Sequence, residues 1–334
     1  MAYRYTSALL LPILSAARQE LTSGIAMAPR IYANDGLAPK LVNFPNGSNG
    51  SITAHLYLPK EYNGDNKYPS VVVGGSMASV KEQMSGTYAS QLAENGIIAM
   101  AIDYTNWGES TGAERQVENP VQKAADLSSA VSFLSGRADV AGTALLGVCT
   151  SGGNILYTAA EDTRVRALVS VAGFFPEATL LSTLFGADGV ESRQISGRQA
   201  RELFQRTGEI EMIRAYSDTE VAASKNPSDS YYMDQSRGGG IREWRNSFSV
   251  MGWESWLAFD PVAQAPHVKA PTLMIHSEKA AFPRQASKVY ELLAGPKESI
   301  WIDATHFDFY DDTQTVLQAV KDIAAFLHNT IRVQ

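Results

Sequence analysis

The chain has 334 residues, 45% of them hydrophobic, so it can bury a large core in one generous domain or in a domain that carries an insertion. A formal net charge of −7 without clustered Lys and Arg excludes a nucleic-acid-binding surface, because phosphate binding depends on such clusters. The single cysteine excludes an intramolecular disulfide, so a reducing compartment, the cytoplasm, is the simpler expectation.

The N-terminus carries a short apolar run, residues 8–17, with one arginine before it. We expect a helix that packs on the domain or on a partner, which makes this extension a candidate homodimer arm. The alternative is a secretory signal over residues 1–17, and the protein would then be secreted. No apolar run reaches the roughly 18 to 20 residues that a membrane-spanning helix needs, so we do not expect an integral membrane protein.

From about residue 40, strand-like and helix-like stretches alternate. Asn-Gly pairs before a period-2 stretch predict a hairpin leading into 51–59. Further buried strands are predicted at 68–75, 97–104, 142–148, 165–174, 271–277 and 298–304. Continuous apolar strands separated by helices predict an α/β fold with a mostly parallel, doubly wound sheet. In such sheets the ligand crevice lies beyond the carboxyl ends of the strands.

This alternation stops between about residues 175 and 260. The stretch has helix-like pieces and a passage rich in Tyr, Trp and Gly, but no clear buried strand, so we interpret 175–260 as an inserted helical lid. The other parts are an N-terminal extension (1–40) and an α/β core (41–174 and 261–334). Four lid aromatics are candidates for the wall of a substrate pocket, with packing inside the lid as the alternative: Tyr231, Tyr232, Trp244 and Trp253.

The stretch "GVCTSGG" (147–153) follows a predicted strand and opens a predicted helix. A nucleophile on such a sharp turn needs small residues two places to either side. This spacing fits the stretch in two ways, or frames. In the first frame Cys149 is the nucleophile, between Gly147 and Ser151; in the second frame Ser151 is the nucleophile, between Cys149 and Gly153. The first frame is favoured, because the second extends the strand through Cys149. The alternative to both frames is that Cys149 is a buried structural cysteine in a protein that is not an enzyme.

A nucleophilic thiol needs a base, and the chain has five histidines. His306 follows the last predicted strand and precedes the last helix, where this type of centre places its histidine. His276 ends a predicted strand near the crevice. The others are expected to be structural or exposed: His55, His267 and His328. An ion pair between the Cys149 thiolate and the His306 imidazolium is expected to lower the thiol pKa.

The remaining site residues are expected in two loops. Glu278 is the first carboxylate after the strand at 271–277 and the candidate partner of His306, with Asp303 and Asp260 as rivals. The oxyanion hole is expected to use the amide of Thr150 together with that of Met77 or Ser76, which follow a Gly-Gly pair after an early strand.

With these features the chain resembles the α/β-hydrolase superfamily from about residue 40 to 330. The stretches "GVCTSGGN", "HSEKAAF" and "ATHFDFYD" resemble, more narrowly, a dienelactone-hydrolase-related group that includes fungal polyketide transferases. The resemblance implies a Cys-His-acid acyl-transfer centre without a metal or an organic cofactor. The superfamily's Asp falls where this chain has Lys279, Ala280 and Ala281, so a Cys-His dyad stays open.

The chemistry that follows is acyl transfer on a small-molecule substrate. Hydrolysis of an ester, thioester or lactone is the preferred reaction, since a thiolate suits activated acyl donors. An acyltransferase or cyclase that uses a bound alcohol or amine is the alternative. A non-catalytic binding protein on a hydrolase scaffold is the alternative from another class.

Overall fold

The computed structural model of the protein describes residues 28–219 and 222–333. The N-terminal helix, dimer arm and secretory signal considered above involve residues 1–27, which lie outside that range, so they stay predictions. Across the two described ranges, no helix is both long enough and apolar enough to cross a membrane.

The first part of the domain is a hairpin followed by alternating strands and helices. The hairpin joins β1 (Lys40–Pro45) to β2 (Ser51–Tyr57), as the Asn-Gly turn predicts. The elements that follow are β3 (Tyr68–Gly74), α1 (Met84–Glu94), β4 (Ile98–Ile102), α2 (Pro120–Ser135), β5 (Val140–Val148), α3 (Ser151–Glu161) and β6 (Val165–Val171).

The segment between β6 and the next strand of the main sheet has its own helices and strands. They are α4 (Ala178–Phe185), α5 (Ala187–Thr207), β7 (Met212–Ser217), β8 (Ala222–Lys225), β9 (Phe248–Ser249) and α6 (Gly252–Trp256). The expectation that this segment has no strand is wrong, since β7, β8 and β9 form a small separate sheet. β7 and β8 are only partly buried and β9 has only two residues, so the sequence shows no continuous apolar run there.

The chain then returns to the main sheet. The last elements are β10 (Thr272–His276), α7 (Pro283–Leu292), β11 (Lys297–Trp301), α8 (Asp308–Asp311) and α9 (Thr313–Thr330). The strand predicted at 298–304 exists, but β11 is partly exposed rather than buried, because it is the edge strand and has a neighbour on one side only.

The main sheet has the order β1-β2-β4-β3-β5-β6-β10-β11. All pairings from β4 to β11 are parallel, which confirms the mostly parallel sheet. Helices α1 and α9 contact each other and the sheet, while α2 and α3 contact each other and β5, so both faces are covered. The carboxyl ends of β3, β5 and β10 therefore open onto one edge, where the candidate residues lie.

Candidate active site

Cys149 occupies the sharp turn between β5 and α3. Its φ of 54° lies in the left-handed region, which is costly for a residue with a side chain and is characteristic of strained functional turns. A Cβ atom at Gly147 would clash with the backbone carbonyl of Ser151, so the turn requires glycine there. The local fold therefore places the thiol at the apex, as the first frame predicts.

Ser151, the rival nucleophile, is fully buried behind this turn. Its hydroxyl donates to the carbonyl of Gly75 and lies 2.7 Å from the hydroxyl of Tyr104. It does not line the cavity onto which Cys149 opens. The structure thus gives Ser151 a packing role and leaves Cys149 accessible.

Cys149 opens onto a cavity of about 550 Å³ between the main sheet and residues 175–260. Of the four predicted wall residues only Tyr232 lines it; Tyr231, Trp244 and Trp253 are buried next to it in the inserted segment. They pack against other rings, so the alternative of packing inside the segment holds for those three. The remaining aromatic lining comes from Phe174, Phe185, Tyr216, Trp256, Phe282, Phe307 and Tyr310.

His306 and Cys149 meet through a third side chain, Tyr310. The Tyr310 hydroxyl lies 3.2 Å from Nε2 of His306, and it also interacts with the thiol of Cys149 and favours its thiolate form. Tyr310 lies four residues after His306, one helical turn away on α8, so both side chains reach the same wall of the cavity. The sequence analysis missed this phenol, although the spacing from His306 was visible in "HFDFY".

The electrostatics of the pair differ from the expected thiolate–imidazolium ion pair. Burial raises the pKa of the Cys149 thiol, and the hydrogen bonds from Tyr310 and Thr150 oppose that effect only in part. Burial lowers the pKa of His306 to about 3, with a further contribution from the neighbouring His276. The expectation of a lowered thiol pKa is therefore wrong for this arrangement, because desolvation of both groups favours the neutral forms.

None of the three candidate acids hydrogen-bonds to His306. Glu278 is exposed, Asp303 is exposed and pairs with Lys279 at 2.6 Å, and Asp260 accepts from the amide of Ala263. The predicted role of Glu278 is therefore not supported, since the loop after β10 turns its side chain to solvent.

A carboxylate was expected beside Nδ1 of His306, but a backbone amide lies there. The N–H of Ala281 donates to Nδ1 of His306 over 3.4 Å. A ring that accepts at Nδ1 and is neutral carries its proton on Nε2, which faces Tyr310. The contact with the Ala281 amide therefore favours the Nε2-protonated tautomer of His306, which is opposite to the one that a base at Nε2 needs.

The predicted oxyanion donors lie at the same cavity. Met77 and Thr150 both line it, and the Thr150 amide points toward the thiol. The amide of Met77 donates no hydrogen bond to another group of the described chain. Ser76 is buried, with its hydroxyl bonded to that of Tyr232, so it supports the loop.

Three aromatic residues of the inserted segment hold the loop that carries Met77. The Tyr216 hydroxyl donates to the Met77 carbonyl over 2.7 Å, Tyr232 contacts Ser76, and Trp244 Nε1 donates to the Ala78 carbonyl over 2.8 Å. The rings of Tyr216 and Tyr232 stack with centroids 3.8 Å apart. The segment therefore positions a predicted oxyanion donor as well as covering the thiol.

A relative by sequence and by structure is protein PA2218 of Pseudomonas aeruginosa. It is 30% identical over 296 residues, which cover 81% of this chain and 75% of the relative. Its crystal structure superposes with a TM-score of 0.76 and covers 87% of this chain and 93% of that one, at 26% identity. The chain belongs to the family of PA2218. No family model matches it.

Two further proteins bear on the fold and the chemistry. The α/β-hydrolase GrgF from a Penicillium species gives a TM-score of 0.74 at 19% identity and covers 88% of this chain and 99% of that one, which shows the α/β-hydrolase fold. The thiohydrolase aneE of Aspergillus aculeatus is 35% identical over 122 residues, 36% of this chain and 37% of that protein. The chain therefore has the α/β-hydrolase fold, as the sequence predicts.

No group of three or more His, Cys, Asp or Glu side chains in the described part of this chain could hold a metal ion. Besides Tyr310, sequence reasoning missed Tyr216 and Arg193, which line the same cavity from the inserted segment. No local pattern marks either residue, because the folding of 175–260 over the sheet brings them there.

Proposed function

We propose that this α/β-hydrolase is an acyl-transfer enzyme that forms a covalent acyl intermediate on Cys149 and releases it to water. The observation that carries the proposal is the strained Cys149 at the β5–α3 turn, which opens onto a cavity of about 550 Å³ that His306 and Tyr310 also line. The assignment to the dienelactone-hydrolase-related group is part of this proposal.

In the proposed reaction the thiol proton leaves through Tyr310 to His306, and the sulfur attacks the substrate carbonyl carbon. The carbonyl oxygen takes up the negative charge, which the amides of Thr150 and Met77 stabilise. The tetrahedral intermediate collapses and the leaving alcohol or thiol takes the proton. Water then attacks the thioester, releasing the acid and restoring the thiol.

This proton path requires Nε2 of His306 to be unprotonated and Nδ1 to carry the proton. The Ala281 amide faces Nδ1 and cannot accept a hydrogen bond. We infer that the loop between β10 and α7 withdraws that amide in the working complex, so the present arrangement is a resting one.

Thioesters are the favoured donors. A neutral thiol of raised pKa leaves little thiolate at neutral pH, so an activated carbonyl is needed. The name of the relative aneE, a thiohydrolase, points to the same class. Residues 175–260 act in this proposal as the lid that closes the cavity.

Acyl transfer to a bound alcohol or amine is the second candidate. Its support is the apolar lining of the cavity, eight aromatic side chains including Tyr232, which disfavours free water and suits an organic acceptor. The two reactions share the acyl-enzyme and differ only in what accepts the acyl group.

The test is intact-mass detection of the acyl-enzyme with a panel of aryl esters and thioesters, in water alone and with candidate alcohols or amines. We expect the acyl mass on wild-type protein and none on Cys149→Ala. Faster loss of the adduct on adding an acceptor, with formation of the conjugate, would select the transferase. An adduct mapped to Ser151, or none with any donor, would overturn the mechanism. A biological effect retained by Cys149→Ala would favour a binding protein.

A further inference from the structure

The lining of the cavity at Cys149 carries positive charge in a chain with a net charge of −7. Its described lining residues include the cations Arg193 and Lys225 and no Asp or Glu side chain. A guanidinium adds little to the binding of a neutral acyl chain, because a hydrocarbon offers no acceptor for its hydrogen bonds and no charge to pair with.

Arg193 lies on α5, partly buried, and its guanidinium is held in a defined orientation. The group lies 4.2 Å from the ring centroid of Phe185 and 5.2 Å from that of Trp253. Nη1 donates to the carbonyl of Gly189 over 3.0 Å. Stacking on two rings together with this bond fixes the plane of the fork before any ligand arrives.

The other donors of this fork have no partner in the described chain. Arg193 makes no ion pair, whereas Arg201 and Arg237, in the same inserted segment, both bind carboxylates. Burial without a counter-ion lowers the pKa of Arg193. A planar fork with free, preoriented donors matches the two oxygens of a carboxylate or phosphate.

We propose that Arg193 binds an anionic group of the acyl donor, a carboxylate or a phosphate, remote from the reacting carbonyl. The substrates would then be esters or thioesters that carry a second, negatively charged end. This rests on the proposed acyl-transfer function for the reacting end of the cavity, but the binding of the charged end can be measured without turnover.

The binding experiment uses the Cys149→Ala background, in which substrates stay intact. The probes are two series of thioesters. In the first, acyl chains of increasing length end in a carboxylate or in a methyl group, on an uncharged thiol. In the second, an uncharged acyl chain is joined to pantetheine or to phosphopantetheine. Dissociation constants are measured by calorimetry with Arg193 present and with Arg193→Met and Arg193→Lys.

With Arg193 present, we expect the charged member of at least one pair to bind about 10-fold or more tightly than its neutral match, because charge-assisted hydrogen bonds from a guanidinium are stronger than those between neutral groups. Arg193→Met should abolish this ratio and Arg193→Lys should retain part of it, because Lys keeps the charge without the fork. The exposed Arg198→Met on the same helix is the matched control and should leave the ratio intact. If Arg193→Met loses the preference for the charged ligand in the first series, the anionic group belongs to the acyl chain. If it loses the preference in the second series, the anionic group belongs to the leaving thiol.

The ratio compares the dissociation constants of the charged and the neutral ligand for the same variant. A general loss of stability lowers the binding of both ligands and therefore leaves this ratio unchanged. The proposal is overturned if charged and neutral ligands bind equally to the Arg193 protein, or if Arg193→Met keeps the preference. Selective binding to Cys149→Ala without any acyl adduct on wild-type protein would reject the proposed reaction and leave the anion site standing.

Discussion

The hydroxyl of Tyr310 lies 3.2 Å from Nε2 of His306, and the same phenol interacts with Cys149 and opposes the rise in the thiol pKa. A direct thiol–imidazole contact was expected, but the described residues show no hydrogen bond between these two groups. In the reaction proposed above, the thiol proton passes to the imidazole through the Tyr310 hydroxyl.

The first prediction concerns the protonation of Cys149. Alkylation by iodoacetamide reports on this thiol alone, because the chain has one cysteine. Since burial raises the thiol pKa, the alkylation rate should rise with pH through a midpoint above the ordinary value of about 8.5. Tyr310→Phe should move the midpoint higher still, because it removes a hydrogen bond that favours the thiolate.

Tyr290→Phe is the matched control, since Tyr290 lies on α7 and its hydroxyl donates only to the carbonyl of Lys297. It should leave the midpoint unchanged. A midpoint below about pH 7 in the wild-type protein would restore the thiolate–imidazolium pair and contradict the present account.

The second prediction separates His306 from Glu278. Glu278→Gln should change kcat/KM for a thioester by less than about 2-fold, because the side chain is exposed and does not contact the imidazole. His306→Gln should cost about 10² to 10⁴-fold, the usual contribution of a general base. A loss of 100-fold or more in Glu278→Gln would mean that the carboxylate reaches the imidazole during turnover.

The third prediction tests the support of the oxyanion loop. Tyr216→Phe removes the hydrogen bond to the Met77 carbonyl, so the Met77 amide should lose its alignment and kcat should fall about 10-fold with a smaller change in KM. Tyr157→Phe is the control, since its hydroxyl bonds only the amide of Asp260. Equal kcat values for the two variants would exclude the positioning role of Tyr216.

The fourth prediction concerns the turn itself. Gly147→Ala would drive a Cβ atom into the backbone of Ser151, which cannot rotate away, so we expect a loss of several kcal/mol in the free energy of unfolding or a failure to fold. The measurement is urea unfolding followed by circular dichroism. Gly64→Ala, whose Cβ would lie 3.4 Å from the nearest atom, the Tyr62 hydroxyl, should be near neutral. A soluble Gly147→Ala protein of wild-type stability would contradict the described turn.

The fifth prediction concerns the join between the inserted segment and α8. Asp311 is buried and accepts from Arg237 at 2.7 and 2.8 Å and from Arg30 at 3.0 Å. Asp311→Ala removes the carboxylate that pairs with the buried Arg237 and leaves Arg30 only Asp308, at 4.0 Å, so it should lower the free energy of unfolding by about 3 to 5 kcal/mol. Arg164→Ala breaks a half-exposed pair with Asp162 and should cost at most about 1 kcal/mol. Similar losses in the two variants would argue against a buried anchor.

Much of the main sheet could be predicted from the sequence, because burial on both faces of a parallel strand leaves a continuous apolar run. The run 71–73, all Val and fully buried in β3, is such a case. The turn at Cys149 was equally local. The spacing of small residues allowed two frames, and the expected end of the preceding strand selected the one with Cys149 as the nucleophile. The sequence did not predict that β11 is partly exposed, because no local pattern indicates that a strand lies at the edge of its sheet.

The sequence by itself determined the α/β core, the turn that presents Cys149 and the loop that carries His306, because each depends on residues a few positions apart. Only the tertiary structure decided what surrounds the thiol. Tyr310 between Cys149 and His306, the Ala281 amide at Nδ1, the solvent-facing Glu278 and the unpaired Arg193 all depend on how distant segments meet. Protonation at this site follows from desolvation by those segments, and no local pattern encodes that.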